Sequence, residues 1–267
     1  MSIKPDGPRF IFHGNAMPFG GRIEAVKGQP HFELIKGPPH SALSVVGGWS
    51  IATSRGANHG DVFHWGATVA DCKGEFRPED GHFITTIKCS IADLVVKNDP
   101  HVFVADQIRI KMVSDHDGTD NQPTIVPTEV VFGDMRLDRH EITVHFDDDL
   151  DDFPTMSQFE GQYQNDQDFF NKYQPCLRHP AGGAKFGNPL PRTGAGYVVT
   201  TFVRRLVWGE QVFQGNVLPL EGFGKIHFGE VLMNAYNRRV TMVRFELGCP
   251  FQAQATAGCA DPNGSTT

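Results

Sequence analysis

Residues 222–247, GFGKIHFGEVLMNAYNRRVTMVRFEL, contain two largely apolar runs separated by a polar segment at residues 234–238. The second run, at residues 240–245, has the composition of a hydrophobic strand. Asn and Arg residues in the polar segment favour a turn. The stretch therefore predicts two β-strands joined by a turn.

A similar pattern occurs earlier in the chain, at residues 129–146, EVVFGDMRLDRHEITVHF. Both stretches contain Phe-Gly-acid, at residues 132–134 and 228–230, followed by a polar turn and an apolar strand. A second similarity, between residues 81–87 and 196–202, precedes each stretch in the same order. These echoes favour a repeated arrangement of strands, which would mean that the fold is pseudo-duplicated.

The composition agrees with an all-β fold. Of 267 residues, 29 are Gly and 18 are Pro, which suits many tight turns, and 21 are Phe, which suits a core between sheets. We expect an antiparallel β-sandwich or a jelly-roll-like barrel, either as one domain over residues 1–248 or as two similar β-units at roughly 1–150 and 175–248. Residues 249–267 are rich in Ala, Gly, Thr, Asn and Gln and predict a flexible or loosely packed tail.

One helix is predicted near residues 157–173. Ser157 and Glu160 have the spacing of a capping box, and Pro175 prevents the helix from continuing far. Further short strands are predicted at residues 9–13, 22–26 and 44–53.

Charge and cysteine content narrow the possible functions. The formal net charge is −7 and no basic run occurs, so binding to nucleic acid or to an anionic membrane is not expected. The five cysteines are scattered and match neither a zinc motif nor a dense disulfide framework. No signal-like or membrane-spanning run occurs, which predicts a soluble, cytoplasmic protein.

One set of residues has the spacing of a metal site. His59 and Asp61 form an H-x-D triplet, and on a strand both side chains would lie on the same face. Two His and one carboxylate can hold Fe(II) and leave positions open for oxygen and substrate. With His227 as the third ligand, the pattern resembles that of the 2-oxoglutarate-dependent oxygenases. That resemblance implies that Arg238 would bind the co-substrate.

A second candidate for a cation lies in the polar loop at residues 115–121. Asp115, Asp117 and Asp120 place several oxygen ligands close together, as Ca²⁺ sites do, although the loop lacks the Gly and Glu positions of an EF-hand. A solvated turn explains the same composition.

The long Pro- and Gly-rich segment at residues 175–196 is the most cationic loop of this acidic chain. Loops of this length without secondary structure are often functional. We expect it to bind a ligand or to contact another subunit through Arg178, His179, Lys185, Phe186 and Arg192.

We therefore predict a non-catalytic β-protein without a cofactor that acts through binding or self-association as a homo-oligomer. Its contact surfaces would be the cationic loop and the sheet edges. The alternative is a metal-dependent oxygenase that uses His59, Asp61 and His227.

Overall fold

A computed structural model describes residues 10–24, 33–119, 121–146, 155–177, 185–193, 195–248 and 252–266. Its strands, numbered in chain order, are β1 (Phe10–Glu24), β2 (Glu33–Leu34), β3 (Ser41–Ala42), β4 (Gly48–Ser54), β5 (Ala57–His59), β6 (Phe63–Trp65), β7 (Thr68–Arg77), β8 (His82–Asn98), β9 (His101–His116), β10 (Thr124–Leu137), β11 (His140–Phe146), β12 (Val198–Thr201), β13 (Val203–Trp208), β14 (Gln211–Gln214), β15 (Val217–Leu220), β16 (Gly224–Met233), β17 (Arg238–Leu247) and β18 (Gln252–Thr266). The helices are α1 (Met156–Asn165), α2 (Gln167–Tyr173) and a 3₁₀ turn (Gln174–Cys176).

These strands form two antiparallel sheets packed face to face, which confirms the predicted all-β sandwich. The eight-stranded sheet has the order β12-β16-β17-β18-β1-β2, with β15 beside β16 and β3 beside β1. The ten-stranded sheet has the order β14-β13-β11-β10-β9-β8-β6-β5, with β7 also beside β8 and β4 beside β7. Between the sheets, the buried rings of Phe103 and Phe245 meet edge to face at 5.1 Å.

The predicted hairpin at residues 222–247 is present. β16 and β17 pair from Gly224↔Leu247 to Met233↔Arg238. The turn between them is closed by Asn234, whose side-chain oxygen accepts hydrogen bonds from the amides of Tyr236 and Asn237.

Asn98, at the end of β8, fastens this hairpin to the other sheet. Its buried side-chain nitrogen lies 3.2, 3.0 and 3.2 Å from the carbonyl oxygens of Gly222, Phe223 and Gly248. A single buried amide thus holds both ends of the hairpin.

The expectation of a loose tail at residues 249–267 is wrong for the described part, residues 252–266. This segment is β18, which pairs with β17 on one side and β1 on the other. Its buried residues include Ala253, Ala255 and Ala257. Small side chains suit this place because the opposite sheet is close, so that a Cβ added at Gly258 would lie 3.1 Å from Ile108.

The separate strands predicted at residues 9–13 and 22–26 belong, in the described part, to one long strand, β1. Pro18 does not interrupt it, because pairing with β18 passes from Met17↔Cys259 to Phe19↔Ala257 and leaves Pro18 outside the paired positions. A proline without an amide proton is tolerated at such a position.

The predicted helix is confirmed in place and corrected in detail. It is divided into α1 and α2 because the Asp166 side chain accepts from the amides of Asp168 and Phe169 and starts a new helix. The capping box is formed by Thr155 and Gln158 rather than by Ser157 and Glu160. None of the helices among the described residues is long and apolar enough to span a membrane.

The two sequence echoes do not occupy equivalent positions in the sheets. β10 and β11 pair with each other only at Arg136↔Glu141 and Leu137↔His140, after which β11 pairs with β13. By contrast, β16 and β17 pair along their length. Each sheet contains strands from both halves of the chain, and whether the chain is one domain or two remains a prediction.

Candidate functional site

The structure does not bring the predicted iron ligands together. His59 ends β5 in the ten-stranded sheet, and its Nε2 lies 3.7 Å from Glu33 Oε1. His227 lies on β16 in the other sheet, where its Nε2 is 3.2 Å from Glu246 Oε2. No group of three or more His, Cys, Asp or Glu among the described residues, Asp61 included, is placed to hold a metal ion. The three predicted ligands are therefore not brought together, because local spacing did not determine which sheet each strand enters.

His227 instead belongs to a network of charged side chains across β16 and β17. Arg244, its pairing partner, binds the carboxylates of Glu230 and Glu246. Burial disfavours the charged form of Arg244, yet its hydrogen bonds to these two carboxylates outweigh burial and raise its pKa. The neighbours of His227 are therefore charged side chains that bind one another, and not the other predicted metal ligands.

Arg238 is not placed as a co-substrate residue beside His227. It pairs with Met233, at the opposite end of the hairpin from His227, and its guanidinium donates to the carbonyl of Ile125. Burial lowers the pKa of Arg238 to about 10. The arrangement that the oxygenase resemblance implied, with Arg238 beside His227, is therefore not present in the hairpin.

The carboxylates of the predicted calcium loop already have protein partners. Asp115 lies 2.5 Å from His82 Nδ1 and 3.3 Å from Arg77. Asp117 accepts hydrogen bonds from Thr119 and Asn121, which lower its pKa to about 2. Asp120 lies outside the described residues. The described part of the loop is thus a turn closed by its own hydrogen bonds, and its described carboxylates form no group of three or more ligands that could hold a metal ion.

The predicted cationic loop is partly described. Arg178 and His179 lie outside the described residues, whereas Lys185 and Phe186 are exposed. The ring of Phe186 packs edge to face on Phe170 of α2 at 5.6 Å.

Arg192, the last member of this loop, donates to Glu160 of α1 at 2.9 Å and to the carbonyl of Gly196. Two of the loop's candidate residues therefore fasten it to the helices. Its role in binding or in oligomer contact stays a prediction.

Among the described residues, four exposed apolar side chains lie close together in the sequence at residues 45–51. We call the side chains of Val45, Val46, Trp49 and Ile51 the hairpin surface; they are 62, 81, 68 and 49 % exposed. Trp49 and Ile51 alternate with half-buried Ser50 and so lie on the outer face of β4. The sequence predicted the strand but gave no sign that its apolar side chains face solvent.

The backbone beneath this surface is held in place. The Ser41 hydroxyl contacts the carbonyl and the hydroxyl of Ser50, each at 2.8 Å. The amide of Phe12 donates to the carbonyl of Val45 at 3.0 Å, and the Trp49 indole donates to Asp71 at 2.6 Å. These hydrogen bonds hold the backbone of β4, which lies at an edge of its sheet because β7 is its only pairing partner among the described strands.

A small pocket lies between β10, β12, β16, β17 and α2. It has a volume of about 30 Å³. Its wall is mainly apolar and also includes Thr200, Thr201 and Arg238; the apolar members are Pro127, Tyr173, Phe202, Val231, Met233 and Val240. The sequence carried no local signal for it, because its residues come from five elements.

Comparisons with known proteins give a family and no function. No curated protein and no solved structure matches the chain. The model of one family, described as a domain of unknown function, DUF8256, matches residues 10–234, well over half of the chain. The chain therefore belongs to the DUF8256 family.

Proposed function

We propose that this protein is a non-catalytic β-sandwich that self-associates through the hairpin surface. The observation that carries the proposal is the exposure of four large apolar side chains within seven consecutive residues, in edge strand β4 and the turn that leads into it. Concentrated apolar surface on a soluble protein commonly marks an interaction site. Edge strands are ordinarily protected by charges, prolines or bulges, and β4, GWSIATS, contains no charged residue and no proline.

Burial of these side chains between two copies would favour association. Burying one Val or Ile side chain is worth about 1.5–3 kcal/mol relative to leaving it exposed. A rigid support reduces the entropy lost on binding, and the hydrogen bonds of Ser41 and Phe12 supply such a support.

A second copy of the chain is the partner that fits this surface best. In a two-fold interface the same patch meets itself, so the patch must be self-complementary. Apolar side chains meet this condition. The neighbouring outer positions of β7 carry one charge of each sign, Asp71 and Lys73, so a second copy can approach without facing only like charges.

Sedimentation of the full chain over a dilution series tests the proposal. We expect the wild type to form dimers that dissociate on dilution. Ile51→Asp should remain folded and become monomeric, because a carboxylate at this position would have to be desolvated in the interface.

Val212→Asp is the matched control. Val212 is exposed on β14, at the opposite edge of the same sheet, and this variant should dimerise like the wild type. A monomeric wild type, or a dimer that Ile51→Asp leaves unchanged, would refute the proposal.

A further inference from the structure

The ten-stranded sheet is open between two of its own strands, β10 and β11. These strands pair only at the two positions beside their connecting turn, and β11 then pairs with β13. Among the described residues, no backbone hydrogen bond joins residues 130–135 of β10 to residues 142–146 of β11. Neighbouring antiparallel strands ordinarily exchange such bonds along their shared length. The facing edges of the two strands are therefore left without a strand between them.

The space between these edges, which we call the cleft, has a volume of about 330 Å³. Its wall comes from β10 and β11 alone in the part of the chain that the structure describes. The rings of Phe132 and Phe146, one from each strand, lie 6.4 Å apart. Both rings also pack near buried Phe202, at 6.5 and 6.3 Å. The aromatic rings thus lie between the cleft and the core, so that a ligand enters from the solvent side.

The backbone of β11 turns hydrogen-bonding groups into the cleft. Alternate residues of a strand direct their amide and carbonyl groups to the same neighbouring strand. The carbonyl of Glu141 accepts from the amide of Gly209, on the side of β13. The main-chain groups of Ile142 and Val144 therefore point the other way, toward β10. Free main-chain groups of this kind are what an additional strand binds when it joins a sheet.

The charged side chains that line the cleft are acidic. Asp134 and Glu141 belong to its wall, and no Lys, Arg or His among the described residues does so. Neither carboxylate forms an ion pair with a described residue, although Arg136 lies opposite Glu141 in the hairpin. Two exposed carboxylates favour a ligand that carries positive charge.

We propose that the cleft binds an extended peptide segment in which basic and apolar residues alternate. The main chain of the peptide bonds to Ile142 and Val144, as an added strand does. Successive side chains of a strand point to opposite faces. The basic side chains therefore lie beside Asp134 and Glu141, and the apolar ones pack toward Phe132. This site is separate from the hairpin surface and does not depend on self-association.

Fluorescence anisotropy with a labelled synthetic peptide tests the cleft on the full chain. The probe is a hexapeptide of alternating Val and Lys with blocked ends. One comparison peptide has Glu in place of Lys, and the other has N-methylated Val residues, which keep the charge and lose main-chain donors. We expect saturable binding of the Lys peptide and binding of both comparison peptides that is at least about tenfold weaker.

Substitutions assign the binding to the cleft. Asp134→Asn combined with Glu141→Gln removes both charges, and Asn tolerates the positive φ of 22° at position 134. This double variant should fold and bind the Lys peptide at least about tenfold more weakly than the wild type does. Glu221→Gln is the matched control, because Glu221 is exposed in the turn before β16, and it should bind like the wild type.

The proposal is overturned if the Lys peptide does not bind, if either comparison peptide binds equally well, or if the double variant binds like the wild type. Sedimentation with the unlabelled Lys peptide adds a further test. Dissociation of dimers by the peptide would mean that a second copy of the chain fills the cleft, and would overturn the proposal as well.

Discussion

The hairpin surface at residues 45–51 and the cationic segment at residues 185–193 are both candidate contact regions, and they differ in what holds their side chains. In the cationic segment, Arg192 is bound to Glu160 and the ring of Phe186 packs on Phe170. In the hairpin, hydrogen bonds hold mainly the backbone, and the four apolar side chains remain exposed. Charge and length make a loop easy to notice in the sequence. Exposed apolar side chains are the better sign that a surface can bind a partner.

Removing the largest side chain of the hairpin surface should have the largest effect. We expect Trp49→Ala to weaken self-association by at least about 2 kcal/mol, the range of an interface hot spot. Its effect on unfolding should stay within about 0.5 kcal/mol, since the ring is mainly exposed. Sedimentation and urea unfolding measure the two quantities. Phe186→Ala is the comparison variant, and an equal loss of association there would place the contact in the cationic segment.

Removing the ion pair that holds the cationic segment to α1 should have a smaller effect. It should lower the stability of the fold and leave self-association unchanged. Arg192→Ala removes a partly exposed ion pair with Glu160, which is worth about 0.2–1 kcal/mol of unfolding free energy. A double-mutant cycle with Glu160→Gln in urea unfolding isolates this pair. If Arg192→Ala also dissociated the dimer, the segment would have to be part of the interface.

A change of pH around the pKa of His82 should change the stability of the fold without changing self-association. The hydrogen bond to Asp115 raises the pKa of His82, so this pair stabilises the fold below the usual histidine pKa of about 6.5. That contribution fades as pH rises through the higher pKa of the folded state. NMR titration should show the raised pKa of His82 and its return toward normal in Asp115→Asn. The hairpin surface has no titrating side chain, so its association should not follow this transition.

Salt should have the smallest effect on association. Screening weakens contacts between exposed charges and leaves the burial of apolar side chains intact. We therefore expect the dimer dissociation constant to stay nearly constant, or to fall slightly, when sodium chloride is added. A marked weakening in salt would favour the cationic segment as the contact.

The sequence predicted the local parts of the fold well. Two apolar runs around a polar turn located the hairpin of β16 and β17, and helix spacing located α1 and α2. The sequence-based prediction failed where the structure of a segment depends on contacts with distant parts of the chain. Pro18 fits inside β1 because its strand partner is β18, more than two hundred residues away, and the alanines of β18 form part of the core only because the opposite sheet lies close.

The candidate sites were harder to predict for the same reason. The spacing of His59 and Asp61 is local, whereas a metal site also requires His227 on a strand that enters the other sheet. Trp49 and Ile51 have the composition of core residues, and only the arrangement of the sheets shows that their face is uncovered.

Chemical cross-linking at defined positions tests the central claim most directly. A cysteine is placed in the hairpin surface by Ile51→Cys or in the cationic segment by Lys185→Cys, and each variant is treated with a short bismaleimide. The wild type, with its five native cysteines, sets the background. Self-association through the hairpin surface predicts covalent dimers for Ile51→Cys and background levels for Lys185→Cys. Efficient dimers from Lys185→Cys alone, or background levels from both variants, would contradict it.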